Sequence, residues 1–237
     1  MRPRGTRLKT FGGRASGPEP LEDLLRFTYQ VFEGAKGRKL NSEEVHRICC
    51  YVASIVMVGG VRRSACISLS NPSDDRMRRL KDGEFWHTKP ELKYCNNSAA
   101  WNEKPDAERF LNEWLSLVKS KSGERGIFNR QSSRLIASLT GRRDSTPEFG
   151  CNPCSEIILR PDQFCNLSEV IVDYADDEET LRRKVRQAAI MGVVQSTLTD
   201  FKFLSREWKK NCEEERLLGV SLTGTRDHPI LCRKSNE

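Results

Sequence analysis

Aromatic residues, long apolar runs and a signal for export are scarce or missing in this sequence. Only 8% of the 237 residues are aromatic, and the longest apolar stretch lies around residues 55–58. That stretch is far short of the roughly 18 residues that span a bilayer. The first fifteen residues are basic but contain neither an apolar core nor a small-residue cleavage site. We therefore expect a cytoplasmic protein without a membrane partner.

The lack of aromatic residues also bears on nucleic acids. No basic strip interleaved with aromatic side chains is present, and no helix-turn-helix pattern, so we expect no specific nucleic-acid partner. The formal net charge is +7, from 40 Lys and Arg against 33 Asp and Glu. This charge suits polyphosphate ligands, and it equally suits a weak RNA or DNA binder. Charge alone does not choose between them.

Nine cysteines stand at irregular spacing, and their odd number argues against a secreted disulfide framework. They are buried thiols, metal ligands or redox groups. Cys151 and Cys154 form a C-x-x-C pair, which is typical of a thioredoxin-like redox pair or of half a zinc site. A second close pair is missing and no histidine lies at a recognised ligand spacing, so we predict no metal site. Core packing is the default for Cys49, Cys50, Cys66, Cys95, Cys212 and Cys232.

Helical periodicity is the main secondary-structure signal. Apolar residues recur at helical spacing within residues 21–34, 45–56, 110–118 and 181–192. The capping box Asn41-x-x-Glu44 predicts where the second of these helices begins. A further short helix is expected near Ser73. Its arginines are expected to form one exposed face, namely Arg76, Arg78 and Arg79.

Strand patterns lie between the helices, and together they predict the α/β class. Apolar alternation or short apolar runs mark residues 65–69, 94–101, 157–159, 170–172 and 217–222. The turn signal at residues 160–162 predicts that residues 157–172 form a hairpin-like pair. No linker and no internal repeat divides the chain, so we interpret residues 1–237 as one unit.

The densest chemistry lies in residues 151–170. On an extended backbone Asn152, Cys154 and Glu156 would project to one side, because side chains at i and i+2 share a strand face. An amide and a carboxylate can hydrogen-bond hydroxyl groups, the carboxylate can accept a proton, and the sulfur can do one-electron or nucleophilic chemistry. This set of groups predicts a site that binds a diol. Taken singly, these residues have purely structural interpretations. Asn152 would be a turn residue, Cys154 a buried core thiol and Glu156 a surface carboxylate.

This part of the chain resembles the radical-site loop of the adenosylcobalamin-dependent (class II) ribonucleoside-triphosphate reductases. The residues that carry the resemblance are NPCSEI at 152–157 and FCNLSEV at 164–170. Three further segments are similar to family segments in the same order, GGVRRSA at 59–65, SGERGIFNR at 122–130 and ERLLGVSLTG at 215–224. Several ordered matches are far more specific than one short motif.

The resemblance implies a fold, a cofactor and a mechanism. The fold would be part of a ten-stranded α/β barrel, with Cys154 on a finger loop inserted into it. Cys154 would become a thiyl radical through adenosylcobalamin and abstract the 3′-hydrogen of a ribonucleoside triphosphate. Glu156 would deprotonate the 3′-hydroxyl and Asn152 would bind the ribose hydroxyls. Cys165 would be one of two thiols that reduce the sugar and are then re-reduced by a thioredoxin-type donor.

The resemblance also implies a loop that links a deoxynucleotide effector to the substrate base. Glycines permit close approach of the backbone to a ligand, and arginines pair with phosphate or stack on a base. The residues of this loop are Gly59, Gly60, Val61, Arg62, Arg63 and Ser64. Residues 1–20 read as loop, and they lie where a neighbouring effector loop would be.

The chain also departs from the family. Complete reductases are much longer, and the partner thiol of Cys165 and the C-terminal cysteine pair are not visible here. Ser155 replaces a common glycine, and Cys151 adds a thiol. We therefore expect a central segment of the catalytic subunit that is inactive alone and is completed by further fragments. The alternatives are a reductase class with another radical source, and a degenerate or split-gene fragment that binds nucleotide or a partner fragment without catalysis.

Overall fold

The computed structural model describes residues 1–9, 12–58, 61–62 and 64–232, and it mixes helices with short parallel sheets. This confirms the α/β class. The helices are α1 (Glu19–Gly34), α2 (Ser42–Ile55), α3 (Asp75–Arg78), α4 (Phe85–Thr88), α5 (Ala107–Ser120), α6 (Arg130–Leu139), α7 (Glu178–Ser196) and α8 (Arg206–Glu215), with a 3₁₀ helix at Pro90–Tyr94. The strands are β1 (Met57–Val58), β2 (Val61–Arg62), β3 (Ile67–Ser70), β4 (Asn96–Trp101), β5 (Gly126–Asn129), β6 (Gly150–Cys151), β7 (Ile158–Leu159), β8 (Asn166–Ile171) and β9 (Leu218–Thr223).

The chain divides into two compact units. The first comprises Met1–Leu139 and Gly150–Ile158, and the second comprises Thr140–Phe149 and Leu159–Glu237. The parallel strands of the described residues form one sheet of three and one sheet of two. The ten-stranded barrel and the single catalytic domain therefore stay predictions.

A parallel sheet in the order β3-β4-β5 is the centre of the first unit. Its register pairs Ile67 with Asn96 and Ser98 with Gly126. β4 is the middle strand, and it is buried from Asn97 to its end because both neighbours and the adjoining helices cover it. A Cβ at Gly126 would lie 2.7 Å from the Ser98 hydroxyl, so a larger residue there would force the Ser98 side chain to shift.

The helix α2 begins as the sequence predicts. The Asn41 side chain accepts from the Glu44 backbone N–H at 2.9 Å, and the Glu44 carboxylate accepts from the Asn41 N–H at 2.9 Å. This reciprocal pair satisfies two donors that a helix N-terminus leaves open. The buried face of α2 then packs into an apolar cluster of Cys50, Ala53, Met77, Leu80, Leu92 and Cys95.

A buried ion pair connects α5 with the entry to β5. The Arg125 side chain is 0% exposed and that of Glu113 is 2% exposed, and the Arg125 Nε and Nη2 atoms donate to the two Glu113 oxygens at 2.6 and 2.8 Å. Arg125 also donates to the carbonyl oxygens of Asn71, Pro72 and Asp74, which follow β3. One guanidinium thus holds together the loop after β3, the helix α5 and the start of β5.

The Glu113 carboxylate also binds Arg78 of the short helix α3, which the sequence predicts to be exposed. Arg78 was expected on an exposed face with Arg76 and Arg79, which are indeed exposed. The Nε atom of Arg78 instead donates to Glu113 at 3.1 Å, and its side chain is 27% exposed. The expectation for Arg78 is wrong because a buried carboxylate on a distant helix attracts it. Burial pushes the pKa of Glu113 upward, but the hydrogen bonds and charges of Arg125 and Arg78 outweigh it and lower this pKa.

The helix α5 faces inward with its polar side. Glu113 and Ser120 are buried, and the apolar residues that predicted the helix are between 39% and 61% exposed. These residues are Phe110, Leu111, Trp114, Leu115 and Val118. The ion pair explains this orientation, since Glu113 lies on the side of the helix opposite to the apolar stripe. The chain therefore presents an uncovered apolar face on α5.

The second unit is built on the parallel pair of β8 and β9, which runs from Asn166↔Leu218 to Ile171↔Thr223. The helices α7 and α8 lie between the two strands in sequence. The helix α7 packs on the strands through a core of Val170, Val172, Leu181 and Ala188. The predicted hairpin of residues 157–172 is wrong, because β7 pairs with β6 and β8 pairs with β9. Within the described residues each helix is too short or too polar to cross a lipid bilayer.

Replacing Glu113 by Gln is expected to destabilise the chain by about 3–5 kcal/mol, because the Arg125 charge would stay buried without a counter-charge. The measurement is chemical denaturation followed by circular dichroism. Glu108→Gln, at an exposed position of the same helix, is the matched control and is expected to cost less than about 1 kcal/mol. Equal losses in both variants would contradict the role of the pair.

His46 predicts a loss of stability in mild acid. Burial, helped by the nearby Lys81 charge, lowers the pKa of His46 to about 4. The unfolded state, with a pKa of about 6.5, therefore binds the proton first as the pH falls. The free energy of unfolding is expected to decrease through this window, by about 2 kcal/mol between pH 7 and 5.

This pH dependence is checked by urea denaturation at several pH values. His46→Gln removes the titrating group, and the slope between pH 7 and 5 is expected to flatten. His87→Gln, at an exposed position, is expected to keep the slope of the parent chain. A parent chain with constant stability over this range would refute the prediction.

Candidate active-site turn

Residues 152–157 form a closed turn in the first unit. The Asn152 side-chain oxygen accepts from the Ile157 N–H at 3.0 Å, and the Asn152 N–H donates to the Ile157 carbonyl at 3.3 Å. The Ser155 N–H donates to the Asn152 carbonyl at 2.9 Å. An Asn before Pro153 favours this closure, because its side chain bonds the backbone and proline presets its own φ. The backbone is not extended here, so the strand-face argument does not apply, and the three predicted residues share one turn instead.

The turn exposes its chemical groups. Cys154, Ser155 and Glu156 are exposed, and Asn152 is half-buried. The alternative interpretation of Cys154 as a buried core thiol is therefore wrong. The oxygen of Asn152 is used within the turn, and its Nδ2 group makes no hydrogen bond with the described residues. The arrangement offers an accessible thiol, a carboxylate and an amide donor within six residues, and their chemical roles stay predictions.

Ser155 adopts a left-handed backbone conformation with φ at 68°. Residues with a Cβ rarely take this conformation, whereas glycine does so at little cost. This is a physical reason for the glycine of the resembling family at this position. The turn forms with a serine at this position because the three hydrogen bonds described above close it.

The sequence analysis missed the residue that anchors the turn. The Asn96 side chain donates to the Pro153 carbonyl oxygen at 2.7 Å. Asn96 begins β4, so this bond attaches the turn to the first residue of the central strand. No local sequence pattern predicts the bond between Asn96 and Pro153, because the two residues are separated by 57 positions.

Cys151 lies beside the turn as a protonated thiol. Its sulfur donates to the Ser155 hydroxyl at 3.6 Å. Burial raises the pKa of Cys151, the hydrogen bond to Ser155 opposes the rise, and the negative charge of Glu156 adds to it. Cys151 is therefore a poor nucleophile at neutral pH. The contrast with the exposed Cys154 favours Cys154 as the reactive sulfur of the C-x-x-C pair.

Cys165 belongs to the second unit and is described with it. It is half-buried just before β8, and its thiol donates to the Asn166 carbonyl at 3.8 Å. Its role as one of the two reducing thiols stays a prediction.

The predicted effector loop is only partly described. Gly59, Gly60 and Arg63 lie outside the described residues. The backbone of Val61 and Arg62 forms β2, which pairs antiparallel with β1, and the Ser64 hydroxyl donates to the Ala53 carbonyl at 2.5 Å. Near the chain start, Arg7 and Arg14 form an antiparallel bridge, while Thr10 and Phe11 lie outside the described residues. The effector role of both segments stays a prediction.

The other cysteines divide by burial. Cys50, Cys95 and Cys212 are buried, as expected, and Cys66 is half-buried against the core of the first unit. The core expectation is wrong for Cys49 and Cys232, which are exposed. A hydrogen bond with the Cys50 thiol contributes most to raising the pKa of Cys95 to about 12, so this buried thiol stays protonated. No three His, Cys, Asp or Glu side chains in the described part converge on a possible metal position.

Comparison with known proteins supports the resemblance. The chain is 30% identical over 233 residues to the adenosylcobalamin-dependent ribonucleoside-triphosphate reductase of Lacticaseibacillus paracasei, covering 96% of this chain and 30% of that protein. The reductase of the same name from Levilactobacillus brevis is 30% identical with the same coverage. That of Lactobacillus leichmannii is 29% identical over 244 residues, covering 100% of this chain and 31% of the relative. No family model matches the chain.

The sequence resemblance is therefore confirmed as homology along essentially the whole chain. The chain spans about 30% of the length of the curated relatives that it matches.

Ser155→Gly is expected to stabilise the chain by up to about 1 kcal/mol, because glycine relieves the left-handed strain of the turn. The free energy of unfolding is measured by denaturant titration. Ser155→Ala keeps the Cβ and is expected to give no gain. A glycine variant no more stable than the alanine variant would show that the turn is not strained at this residue.

Proposed function

We propose that this chain is a segment of a catalytic subunit that reduces ribonucleoside triphosphates to deoxyribonucleotides for DNA synthesis, with adenosylcobalamin as cofactor. The observation that carries the proposal is the exposed Cys154 thiol in a turn with Asn152 and Glu156. It lies in a chain homologous throughout to proteins named as such reductases. The same proposal assigns the chain to the cytoplasm, where thiols stay reduced.

The residues present fit this cofactor. When bound, adenosylcobalamin would supply the radical that takes the hydrogen atom from the Cys154 thiol, and the chemistry of its carbon–cobalt bond belongs to the cofactor itself. Its cobalt is held in a corrin ring, so no cluster of protein ligands is needed. The protein must offer an accessible sulfur, and the turn at residues 152–157 offers the exposed Cys154.

The turn residues have complementary roles in this proposal. Cys154, as a thiyl radical, takes the 3′-hydrogen atom of the ribose and later returns it. Glu156 accepts the proton of the 3′-hydroxyl, while the 2′-hydroxyl leaves as water. Asn152 positions the sugar by donating from Nδ2 to a ribose hydroxyl, because its oxygen is already bonded to Ile157. The anchor from Asn96 to Pro153 holds these groups on the central strand.

The reducing electrons come from thiols. Cys165 and a second thiol supply two electrons and two protons and end as a disulfide. One proton leaves with the 2′-hydroxyl as water, and the other ends on the 2′-carbon. A thioredoxin-type donor reduces that disulfide by thiol exchange. The second thiol is proposed to lie on a part of the reductase that this chain does not include.

The loop before β3 is proposed to communicate with a deoxynucleotide effector. Gly59, Gly60, Val61, Arg62, Arg63 and Ser64 form it, and its arginines supply charge for phosphate or a face for a base. Ser64 is tied to the end of α2 through Ala53, so α2 offers a path by which the loop can be positioned. The segment at residues 1–20 is proposed as the neighbouring effector loop.

Further polypeptide completes the enzyme in this proposal. Large apolar side chains are exposed on α1, α5, α6 and α7, for example Phe32, Trp114, Leu139 and Val194. Exposed apolar area of this extent is typical of surfaces that another polypeptide covers. Complementing fragments of the same enzyme are proposed to cover those surfaces. The same fragments would complete the barrel to which the short sheets would belong.

The proposal is tested in a chimera, in which this chain replaces the matching segment of the Lactobacillus leichmannii reductase. Deoxynucleotide formation and a coupled cobalt–sulfur electron paramagnetic resonance signal are expected with adenosylcobalamin, ribonucleoside triphosphate and a dithiol. Cys154→Ala is expected to abolish both. Cys232→Ala, at an exposed thiol outside the turn, is the control and is expected to keep both.

A smaller chimera that carries only residues 150–158 tests the turn if the large one does not fold. A signal that survives Cys154→Ala would remove this residue from its role. A folded chimera that binds nucleotide without any turnover would favour the alternative, a degenerate or split-gene fragment without catalysis. The 237-residue chain alone is expected to form no deoxynucleotide.

A further inference from the structure

A cavity in the first unit has no role in the chemistry proposed above. Its volume is about 680 Å³, which lies in the usual range for small-molecule sites. It opens where β3 and β4 end, between the loop after β3 and the helix α5. Its lining includes Arg78, Arg79, Trp101, Arg109, Lys119 and the single carboxylate Asp82.

Three of the four cationic side chains that line this cavity are not neutralised by the described residues. In the part of the chain that the structure describes, no carboxylate pairs with Arg79, Arg109 or Lys119, and all three are exposed. The Arg109 guanidinium lies 5.4 Å from the centre of the Trp101 ring. Arg78 is different, because Glu113 and Asp75 already bind it. Three uncompensated cations facing one carboxylate favour an anionic ligand.

An unsatisfied donor in the wall points to the same chemistry. Trp101 is 4% exposed, and its Nε1 atom has no hydrogen-bond partner among the described residues. A buried N–H without an acceptor is costly. The Nε1 atom is closed to solvent, so an oxygen atom of an anion bound in the cavity would satisfy this donor after a small shift of the indole ring.

The floor of the cavity is held firmly. Arg78 donates to the Pro72 carbonyl at 2.6 Å, and Arg125 donates to the same oxygen at 2.8 Å. Both arginines are joined to Glu113. The loop after β3 and the end of β4 are thereby held in one geometry, and the carboxyl ends of parallel strands are a frequent position for phosphate ligands.

We propose that this cavity binds the phosphate chain of a small polyphosphorylated ligand, with Arg79, Arg109 and Lys119 as the phosphate-binding cations and the Trp101 indole N–H as a hydrogen-bond donor. The inference does not need the reductase function, because it concerns other residues than the turn at Cys154.

Isothermal titration of the 237-residue chain at low salt tests the proposal with inorganic tripolyphosphate, ATP and adenosine. Tripolyphosphate and ATP are expected to bind and adenosine is not, and added salt is expected to weaken binding. Binding by ATP only would assign the cavity to nucleotides, and equal binding of both would assign it to the phosphate chain. Binding of adenosine as tight as that of ATP, or no binding of any probe, would overturn the proposal.

Variants separate the cavity from general positive charge. Arg79→Ala, Arg109→Ala and Lys119→Ala combined are expected to weaken tripolyphosphate binding at least about tenfold. The matched control removes the same charge from exposed positions of α8, with Arg206→Ala, Lys209→Ala and Lys210→Ala, and is expected to change affinity less than about threefold. Equal losses in the two triple variants would show unspecific attraction and overturn the site.

The tryptophan donor has its own test. Trp101→Phe keeps an aromatic ring but removes the N–H, and it is expected to weaken binding by about three- to tenfold. The midpoint of thermal unfolding, measured beside the affinity, separates lost binding from lost folding. An unchanged affinity in the folded variant would refute the hydrogen bond from Trp101.

Discussion

The buried pair of Arg125 and Glu113 is the interaction on which the first unit depends. Neither partner can be hydrated, so each needs the other. The pair turns the polar side of α5 inward, holds the loop after β3 through backbone carbonyls, and fixes the entry to β5. Two consequences follow from this one constraint. The apolar face of α5 is left uncovered, and a cationic cavity forms at the ends of the parallel strands.

The candidate active-site turn depends on a smaller constraint of the same kind. Asn152 closes the turn with its own side chain, and Asn96 attaches it to the central strand. These bonds hold Ser155 in a left-handed conformation and leave Cys154 at the surface. The role proposed for Cys154 requires an accessible thiol, whereas the neighbouring Cys151 is partly buried and protonated. Burial and hydrogen bonding thus give the two sulfurs of one short motif different properties.

Local signals predicted much of the secondary structure, because they act within one or two helical turns. The capping box at Asn41 and Glu44 and the apolar stripe of α5 are examples. Expectations that needed distant partners were less accurate. The hairpin of residues 157–172 is wrong because each strand has another partner, β6 or β9. Arg78 is only partly exposed because it binds Glu113. This partner is 35 residues away in sequence, so local spacing does not indicate the contact. Cys49 is exposed although its position in α2 suggested packing.

The sequence itself contains the residue types of NPCSEI, their order with the other matching segments, the α/β class and the start of α2. Each of these depends on neighbouring residues or on common ancestry. Tertiary structure alone decided that the segment is a turn and not a strand, that Asn96 holds it, and that α5 buries a carboxylate instead of its apolar stripe. The physical reason is that hydrogen bonds and ion pairs between distant residues depend on distance and burial in space, which spacing along the chain does not encode.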